Sequence, residues 1–357
     1  MRTLPFFPHA AFEQERAATL EMIHQVGLDP AQRFTLGPAV AELERVISQE
    51  TGAGHAIACA SGSGALALAV AAVGIRPGDE VVVPAFGCQP IAGMIVQRGA
   101  VPVFADVDPR TLVLDPAAAE AAVTSRTVAV VPTHIFRTMA DMPRFRAMGL
   151  ALVEDAAVAY GASLNGKAAG RWGDAGVFSH AQFKPLGGIG EGGIVVTDDN
   201  EIALRCREQR GDGMDELTAR FLLRRRTGFT ERMRRKAEIS ARYNKAFAPL
   251  AKEGLVTLPP QGQFSHVYAL LTDRRDELAR HLRDRGIGSH VYYPTPLPQQ
   301  QAFARFAGGA RFPNAEAVGR RNLAIPVWPG MDDAEVSRVI RAVTEFFGGR
   351  SSGDISG

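Results

Sequence analysis

Short apolar segments alternate with helical segments through the first half of the chain, and this alternation constrains the fold more than any other feature. The apolar segments contain almost no polar residues, and they include residues 55–59, 81–84, 128–132 and 150–153. The stretches between them carry apolar residues at helical spacing. Strands that are apolar at nearly every position are typical of a parallel sheet covered by helices on both faces. The sequence therefore predicts an α/β fold with a mostly parallel sheet between helices.

The character of the sequence changes after residue 197. Charged helical segments follow, and from residue 255 the pattern becomes that of an α+β unit, including a predicted strand over residues 289–293. We expect a large α/β domain with N-terminal helices over residues 1–248 and a smaller C-terminal α+β domain over residues 249–348. Residues 349–357 are small and polar, and this composition predicts a disordered tail.

Composition excludes several classes of function. The chain has 357 residues and a net charge of +2, which gives no reason to expect nucleic acid or an anionic membrane as a partner. No apolar run reaches the ~18 residues that cross a bilayer, and no secretory signal is recognisable, so we expect a cytoplasmic protein. The three cysteines, Cys59, Cys88 and Cys206, have neither a disulfide framework nor a metal-ligand spacing. No metal site is therefore predicted.

A glycine-rich loop contains the first candidate for a reactive side chain. Lys184 is followed by five glycines within nine residues, and it lies between two predicted strands. Glycines let a backbone approach a ligand closely, and a lysine that loses part of its hydration ionises less readily. Such an amine can attack a carbonyl group and form a Schiff base. A flexible surface loop with a solvated lysine is the alternative that this segment alone leaves open.

Two further features lie at predicted strand ends. Residues 61–64, Ser-Gly-Ser-Gly, join a strand to a helix, where free N–H groups and the helix dipole can hold a phosphate, although such turns are often only structural. Asp155 ends another strand, at the edge where parallel sheets bind ligands. A lysine, a carboxylate and a phosphate site are together what pyridoxal 5′-phosphate (PLP) needs: a Schiff base, a partner for the ring nitrogen and donors to the phosphate.

Four sequence runs in this order are more specific than any one feature. They are Pro77-Gly78-Asp79-Glu80-Val81, Glu154-Asp155-Ala156-Ala157, Gly173-Asp174-Ala175-Gly176 and the run from Ser179 through Lys184 to Gly193. With them the chain resembles the DegT/StrS family of sugar aminotransferases, which have the aspartate-aminotransferase-like fold of type I PLP enzymes. The resemblance covers residues 35–329.

The resemblance implies an activity and an assembly. The expected reaction is PLP-dependent transfer of an amino group from an amino acid to a keto sugar, a keto cyclitol or a related biosynthetic intermediate. The expected assembly is a homodimer with shared active sites. Two alternatives stay open: other PLP chemistry on the same scaffold, such as elimination, racemisation or decarboxylation, and a non-catalytic PLP-binding or sensor protein. Relatives that dehydrate sugars carry histidine at the lysine position, so Lys184 disfavours that branch.

The resemblance also implies roles for individual residues. Lys184 would be the Schiff-base lysine and would move the proton during transfer. Asp155 would pair with the pyridine nitrogen of PLP. Ser179 and the backbone at Gly62 and Ser63 would hold the phosphate group.

Other positions next to the expected cofactor depart from the family pattern. Val158 stands where the family has glutamine, and Cys88 stands where an aromatic residue often stacks on the ring. Phe86 is a possible substitute for that aromatic residue. Thr230 replaces an asparagine that reaches the PLP phosphate of the partner subunit. We therefore expect Cys88, Val158 and Thr230 to contact the cofactor.

Three residues are candidates for substrate binding. His134 lies in a family motif that normally ends in glycine, and here Arg137 occupies the glycine position. An arginine there can bind a carboxylate or a phosphate through two parallel hydrogen bonds. Tyr293, at the end of the predicted strand 289–293, is the third candidate.

Overall fold

The computed structural model describes residues 3–7, 10–28, 30, 33–260 and 262–348, so the predicted tail 349–357 lies outside the described residues. The helices are α1 (Ala10–Gly27), α2 (Pro38–Thr51), α3 (Gly62–Ala72), α4 (Gln89–Gln97), α5 (Pro116–Ala121), α6 (Met142–Ala147), α7 (Asn200–Gln209), α8 (Glu216–Arg226), α9 (Phe229–Lys252), α10 (Arg275–Asp284), α11 (Pro313–Arg321) and α12 (Asp333–Gly348). The strands are β1 (His55–Cys59), β2 (Glu80–Pro84), β3 (Val101–Ala105), β4 (Thr127–Val130), β5 (Ala151–Asp155), β6 (Ser163–Leu164), β7 (Lys167–Ala168), β8 (Ala175–Ser179), β9 (Gly193–Thr197), β10 (Tyr268–Leu271) and β11 (Asn322–Ile325).

A seven-stranded sheet forms the centre of the first part of the chain. Its order is β1-β9-β8-β5-β4-β2-β3, and the pairs from β8 to β3 are parallel. Only β9 runs antiparallel to its neighbours, β1 and β8. The prediction of a mostly parallel sheet flanked by helices is confirmed.

Both faces of this sheet are buried, which explains why its strands are apolar throughout. Val195 of β9 belongs to one hydrophobic cluster, and its neighbours Ile194 and Val196 belong to another. Because successive side chains of a strand point to opposite faces, these two clusters lie on opposite sides of the sheet.

The sheet brings three chain segments to one edge. Asp155 at the end of β5 pairs with Val177 of β8, so β8 extends two residues further, to Ser179. Gly193 pairs with both Ser179 and Cys59, which places the end of β1 beside the end of β8. Helix α3 begins directly after β1. Its N-terminus, Ser179 and Asp155 are therefore neighbours at the carboxyl edge of the sheet.

A second, smaller sheet pairs β10 with β11 in antiparallel register. Around it, residues of α9, α10 and α12 form a third hydrophobic cluster, which includes Tyr243, Phe247 and Leu278. The boundary predicted at residue 248 falls inside α9, whose buried face contributes to this cluster. The two-domain division stays a prediction.

The predicted strand over residues 289–293 is wrong. His290 forms only an isolated bridge to Ala324, and the N–H of Tyr292 donates to the side-chain oxygen of Asn322 (2.9 Å) instead of continuing a strand ladder. The side chains of His290 and Tyr292 instead pack against the ring of Phe6, at centroid distances of 5.7 and 6.3 Å. This segment is therefore an aromatic loop rather than a strand.

Candidate active site

The loop that carries Lys184 is closed by its own backbone. The N–H of Lys184 donates to the carbonyl of Ala181 (2.9 Å), and the N–H of Gly188 donates to the carbonyl of His180 (2.7 Å). A Cβ atom on Gly187 would lie 2.3 Å from the carbonyl oxygen of Gln182. Because position 187 is a glycine, the backbone there can approach the backbone at Gln182 closely. The loop is therefore an ordered turn, and Lys184 is half-buried in it.

Lys184 lines two neighbouring cavities. The first, of about 180 Å³, is also lined by Val158, His266 and Tyr293. The second, of about 100 Å³, is lined by basic residues of α8 and α9, and these are Arg225, Arg232 and Lys236. The rings of Phe7 and Phe183 stack at 3.8 Å and contribute to both cavities. The lysine amine therefore lies where two binding spaces meet.

Asp155 is 3% exposed, and a backbone bridge holds it in place. Its N–H donates to the carbonyl of Pro132 (3.0 Å), and its carbonyl accepts from the N–H of His134 (3.0 Å). One carboxylate oxygen accepts from the N–H of Ala157 (3.0 Å), and no described residue forms an ion pair with it. Burial raises the pKa of Asp155, against the opposing effects of the Ala157 N–H and the positive charge of Lys184.

The N-terminus of α3 forms a small polar concavity with Ser179. The hydroxyl of Ser61 accepts from the N–H of Gly64 (3.0 Å) and so caps the helix. The N–H groups of Gly62 and Ser63 have no acceptor among the described residues. A Cβ atom on Gly62 would lie 2.5 Å from the Cβ of Ser179 and 2.6 Å from its Oγ. Two free donors and one hydroxyl therefore share a space that a side chain at position 62 would fill.

These groups fit PLP. The free N–H groups and the Ser179 hydroxyl suit a phosphate at a helix N-terminus, and the unpaired, buried Asp155 carboxylate suits a protonated ring nitrogen. Lys184 supplies a primary amine that no described carboxylate neutralises through an ion pair. Together with the mixed sheet, this arrangement agrees with the aspartate-aminotransferase-like fold that the sequence resemblance implies.

The predicted neighbours of the cofactor are placed differently from one another. Cys88 is half-buried just before α4, and burial, together with the negative charge of Asp155, raises the pKa of its thiol to about 11. Phe86 is 1% exposed and packs against Phe136 and Tyr293 in the core. Phe86 therefore presents no free ring face, and Cys88 is the partly exposed side chain at this place. Val158 lines the cavity that contains Lys184.

Thr230 is not brought to Lys184. It is exposed in the first turn of α9 and lines a third cavity, of about 340 Å³, together with Tyr160 and Arg137. Tyr160 donates its hydroxyl to Glu50. Within one chain, Thr230 therefore has no part in the Lys184 site.

His134 has both ring nitrogens engaged in the interior. Its Nε2 donates to Glu154 Oε1 (2.8 Å), and its Nδ1 accepts from the N–H of Ala140 (3.1 Å). Glu154, 0% exposed, also accepts from the N–H groups of Gly170 and Trp172, both at 2.7 Å. Since neither nitrogen is free, the geometry gives no support to the predicted substrate role of His134. Through Glu154, His134 connects its own loop to the loop over residues 170–172.

Sequence reasoning missed Glu154 as the structural counterpart of Asp155. Adjacent strand residues point to opposite faces, so two consecutive acids at the end of a buried strand cannot serve one site. That alternation was a usable signal for the separate role of Glu154.

Sequence reasoning also missed Lys236. It is 7% exposed on α9, and its Nζ donates to the carbonyl of His266 (2.6 Å). Burial and the positive charge of Arg137 lower the pKa of Lys236 to about 7. In the sequence it is one of many basic residues on an amphipathic helix, which are usually solvated, so no pattern distinguished it.

Of the remaining substrate candidates, Tyr293 is half-buried and Arg137 is buried. Tyr293 is beside Cys88 and Asp155, and its burial raises the pKa of its hydroxyl well above the usual value. Arg137 is 7% exposed, and its Nε and Nη1 have no hydrogen-bond partner. Within the described part of the chain, no cluster of His, Cys, Asp and Glu has a metal-binding arrangement, and no helix has the length and hydropathy of a membrane span.

The chain belongs to the DegT/DnrJ/EryC1/StrS aminotransferase family, whose model matches residues 14–234 and 211–344. A "pleiotropic regulatory protein" of Geobacillus stearothermophilus is 34% identical over 94% of this chain and 96% of its own length. A dTDP-3-amino-3,4,6-trideoxy-alpha-D-glucose transaminase of Streptomyces venezuelae is 36% identical over 94% of each chain. The crystal structure of S. venezuelae DesV in complex with a ketimine intermediate has a TM-score of 0.89, is 34% identical, and covers 97% of this chain and 99% of its own.

Proposed function

We propose that the protein is a PLP-dependent aminotransferase that moves an amino group from an amino acid to a keto sugar, a keto cyclitol or a related biosynthetic intermediate. The observation that carries this proposal is the meeting of Lys184, buried Asp155 and the free N–H groups of Gly62 and Ser63 at one sheet edge. The sugar transaminase among the relatives supports the acceptor class.

Each group has a distinct task in this reaction. When bound, PLP supplies an electron sink for the charge left when an amino acid loses its α-proton. Lys184 would hold the cofactor covalently and would accept and return that proton, and its position lining two cavities supports this role. Asp155 would keep the ring nitrogen positively charged, and its burial strengthens that interaction. Gly62, Ser63 and Ser179 would anchor the phosphate.

We also propose a cytoplasmic homodimer with shared active sites. Thr230 is exposed and lines neither of the two cavities that Lys184 lines in its own chain, so we assign its role in holding PLP to the site of the partner subunit. Arg232 lines the Lys184 cavity but donates to the carbonyls of Thr227 (3.0 Å) and Arg225. It therefore orders the start of α9 beside the site.

The test is a screen of the purified protein with each common amino acid. A visible absorbance band should show bound PLP, and at least one amino acid should convert it to the amine form within seconds to minutes. Keto sugars should then restore the original band. A protein that binds PLP but is converted by no amino acid would contradict the proposal.

One observation favours a second candidate. The regulatory relative from Geobacillus stearothermophilus matches almost the full length of both chains. A PLP-binding sensor without turnover is therefore the alternative function, and the same screen distinguishes it, because a sensor would retain its band with every amino acid.

A further inference from the structure

We propose that Arg137 and Lys236 form an anion-binding subsite that receives an acid group, a carboxylate or a phosphate, of the substrate. This inference rests on the proposed function, because it assigns the buried pair to the substrate of that reaction. It makes Arg137 and Lys236 determinants of specificity, apart from the groups assigned to the cofactor.

Arg137 carries a buried charge with no counter-ion among the residues that the structure describes. Although only 7% of its surface is exposed, it forms no hydrogen bond or ion pair with any described residue, and its Nε and Nη1 are both unsatisfied. Burying an unpaired guanidinium is unfavourable, and a bound ligand can supply the missing acceptor. The planar guanidinium can meet a carboxylate or phosphate through two parallel hydrogen bonds.

Lys236 is the second positive charge of the subsite. Its ammonium has one partner, the carbonyl of His266, which leaves two of its three donors without a described acceptor. Burial, together with the positive charge of Arg137, lowers the pKa of Lys236. An anion bound between the two side chains would accept hydrogen bonds from the unsatisfied donors and would oppose the lowering of the Lys236 pKa.

The cavities around the pair are free of acidic residues. Arg137 lines the cavity of about 340 Å³, and Lys236 lines the cavity of about 100 Å³ that contains Lys184. Pro185 and Met233 line both spaces, so the two cavities adjoin. No aspartate or glutamate is among the described residues that line either one. Because Lys184 and Lys236 line the same cavity, a molecule that places an acid group at this subsite can extend toward Lys184.

Two substrates could carry that acid group, and the experiment separates them. For the amino donor, the rate of cofactor conversion is measured with glutamate against glutamine and with aspartate against asparagine. For the acceptor, binding to the holoenzyme is measured by calorimetry with glucuronate and glucose 1-phosphate against glucose. The variants are Arg137→Gln, Lys236→Met and the charge-conserving Arg137→Lys. The matched control is Arg144→Gln, which removes an exposed arginine that pairs with Glu120.

The wild-type protein should prefer the acidic member of at least one pair. Arg137→Gln and Lys236→Met should each reduce that preference by roughly 10- to 100-fold, because each removes a hydrogen bond to a charged group. Arg137→Lys should retain part of the preference, and Arg144→Gln should retain all of it. Thermal unfolding should show Arg137→Gln to be at least as stable as the wild type, because it removes an unpaired buried charge.

The outcomes are distinguishable from those of the proposed function. If no amino acid converts the cofactor, the aminotransferase proposal fails, while the calorimetric comparison still reports on the subsite. If conversion occurs but no acidic probe is preferred, or if the preference survives both Arg137→Gln and Lys236→Met, the subsite is refuted.

Discussion

Replacement of Gly62 by alanine tests the phosphate site at its most crowded point. The added methyl group would lie 2.5 Å from the Cβ of Ser179 and 2.6 Å from its hydroxyl oxygen, closer than nonbonded atoms approach. Ser179 lies at the end of a strand paired on both sides, so it cannot move without disturbing the sheet. The methyl group therefore occupies the space in which the phosphate would meet the N–H groups of Gly62 and Ser63.

The magnitude follows from the hydrogen bonds at risk. Loss of one hydrogen bond to a charged group costs about 1.5–3 kcal/mol, which corresponds to a rise of roughly 10- to 150-fold in the dissociation constant of PLP. Gly64→Ala is the matched control, since its Cβ would meet only the Ser61 hydroxyl, at 3.3 Å, in the same helical turn. Both substitutions gain at most ~1 kcal/mol of helix propensity, so propensity cannot explain a difference between them.

The assay is a titration of each apoprotein with PLP, followed by absorbance, with thermal unfolding of the apoproteins measured alongside. We expect Gly62→Ala to bind PLP far more weakly than Gly64→Ala, while both remain folded. Equal PLP affinities in the two variants would show that the phosphate does not sit at the N-terminus of α3.

Four further predictions concern the remaining groups. Borohydride should attach PLP covalently to the peptide containing Lys184, and Lys184→Ala should abolish that labelling, whereas labelling elsewhere would end the assignment. Asp155→Asn should still bind PLP but lose turnover by orders of magnitude, and unchanged turnover would mean that another residue meets the ring nitrogen. The pKa of Lys236 is lowered to about 7, so at higher pH the unfolded chain binds more protons than the folded chain. The free energy of unfolding should therefore rise between about pH 7 and 10, by at most ~1.4 kcal/mol per pH unit. Lys236→Met should abolish this increase in stability, as measured by denaturant titrations at different pH. If the increase persists in the variant, it does not come from Lys236. Dilution of the dimer should release PLP, as measured by sedimentation with PLP absorbance read alongside. Arg232→Ala should impair PLP retention more than Thr230→Ala. Monomers that keep all their PLP would refute the shared site.

The sequence predicted which segments meet at the carboxyl edge of the sheet, but it did not predict the direction of every strand. Lys184, Asp155 and the 61–64 turn were identifiable because each combines a residue type with a place at a strand end, and the structure brings these places together. The direction of β9 was not predictable, since a strand buried on both faces has the same apolar pattern whether it pairs parallel or antiparallel.

The sequence also did not predict where the charged side chains outside the Lys184 loop lie in the structure. Arg137 was a substrate candidate from its unusual position, but Lys236, whose pKa the charge of Arg137 lowers, lies almost a hundred positions further along the chain, on α9. His134 and Glu154 illustrate the opposite case. Their hydrogen bond fixes a loop of the interior, and a family motif alone does not separate such a structural pair from a substrate contact.

The antiparallel insertion of β9 between β1 and β8 has a consequence for how the molecule is made. Among the described strands, β1 is an edge strand that pairs only with β9, and Gly193 pairs with the ends of both β1 and β8. During synthesis, β1 has no strand to pair with until β9 has left the ribosome, and the first turn of α3 directly follows this unpaired strand. Contacts of such long range slow folding and expose an unpaired edge in the meantime. Chains truncated before residue 193 should therefore aggregate rather than form a smaller cofactor-binding unit.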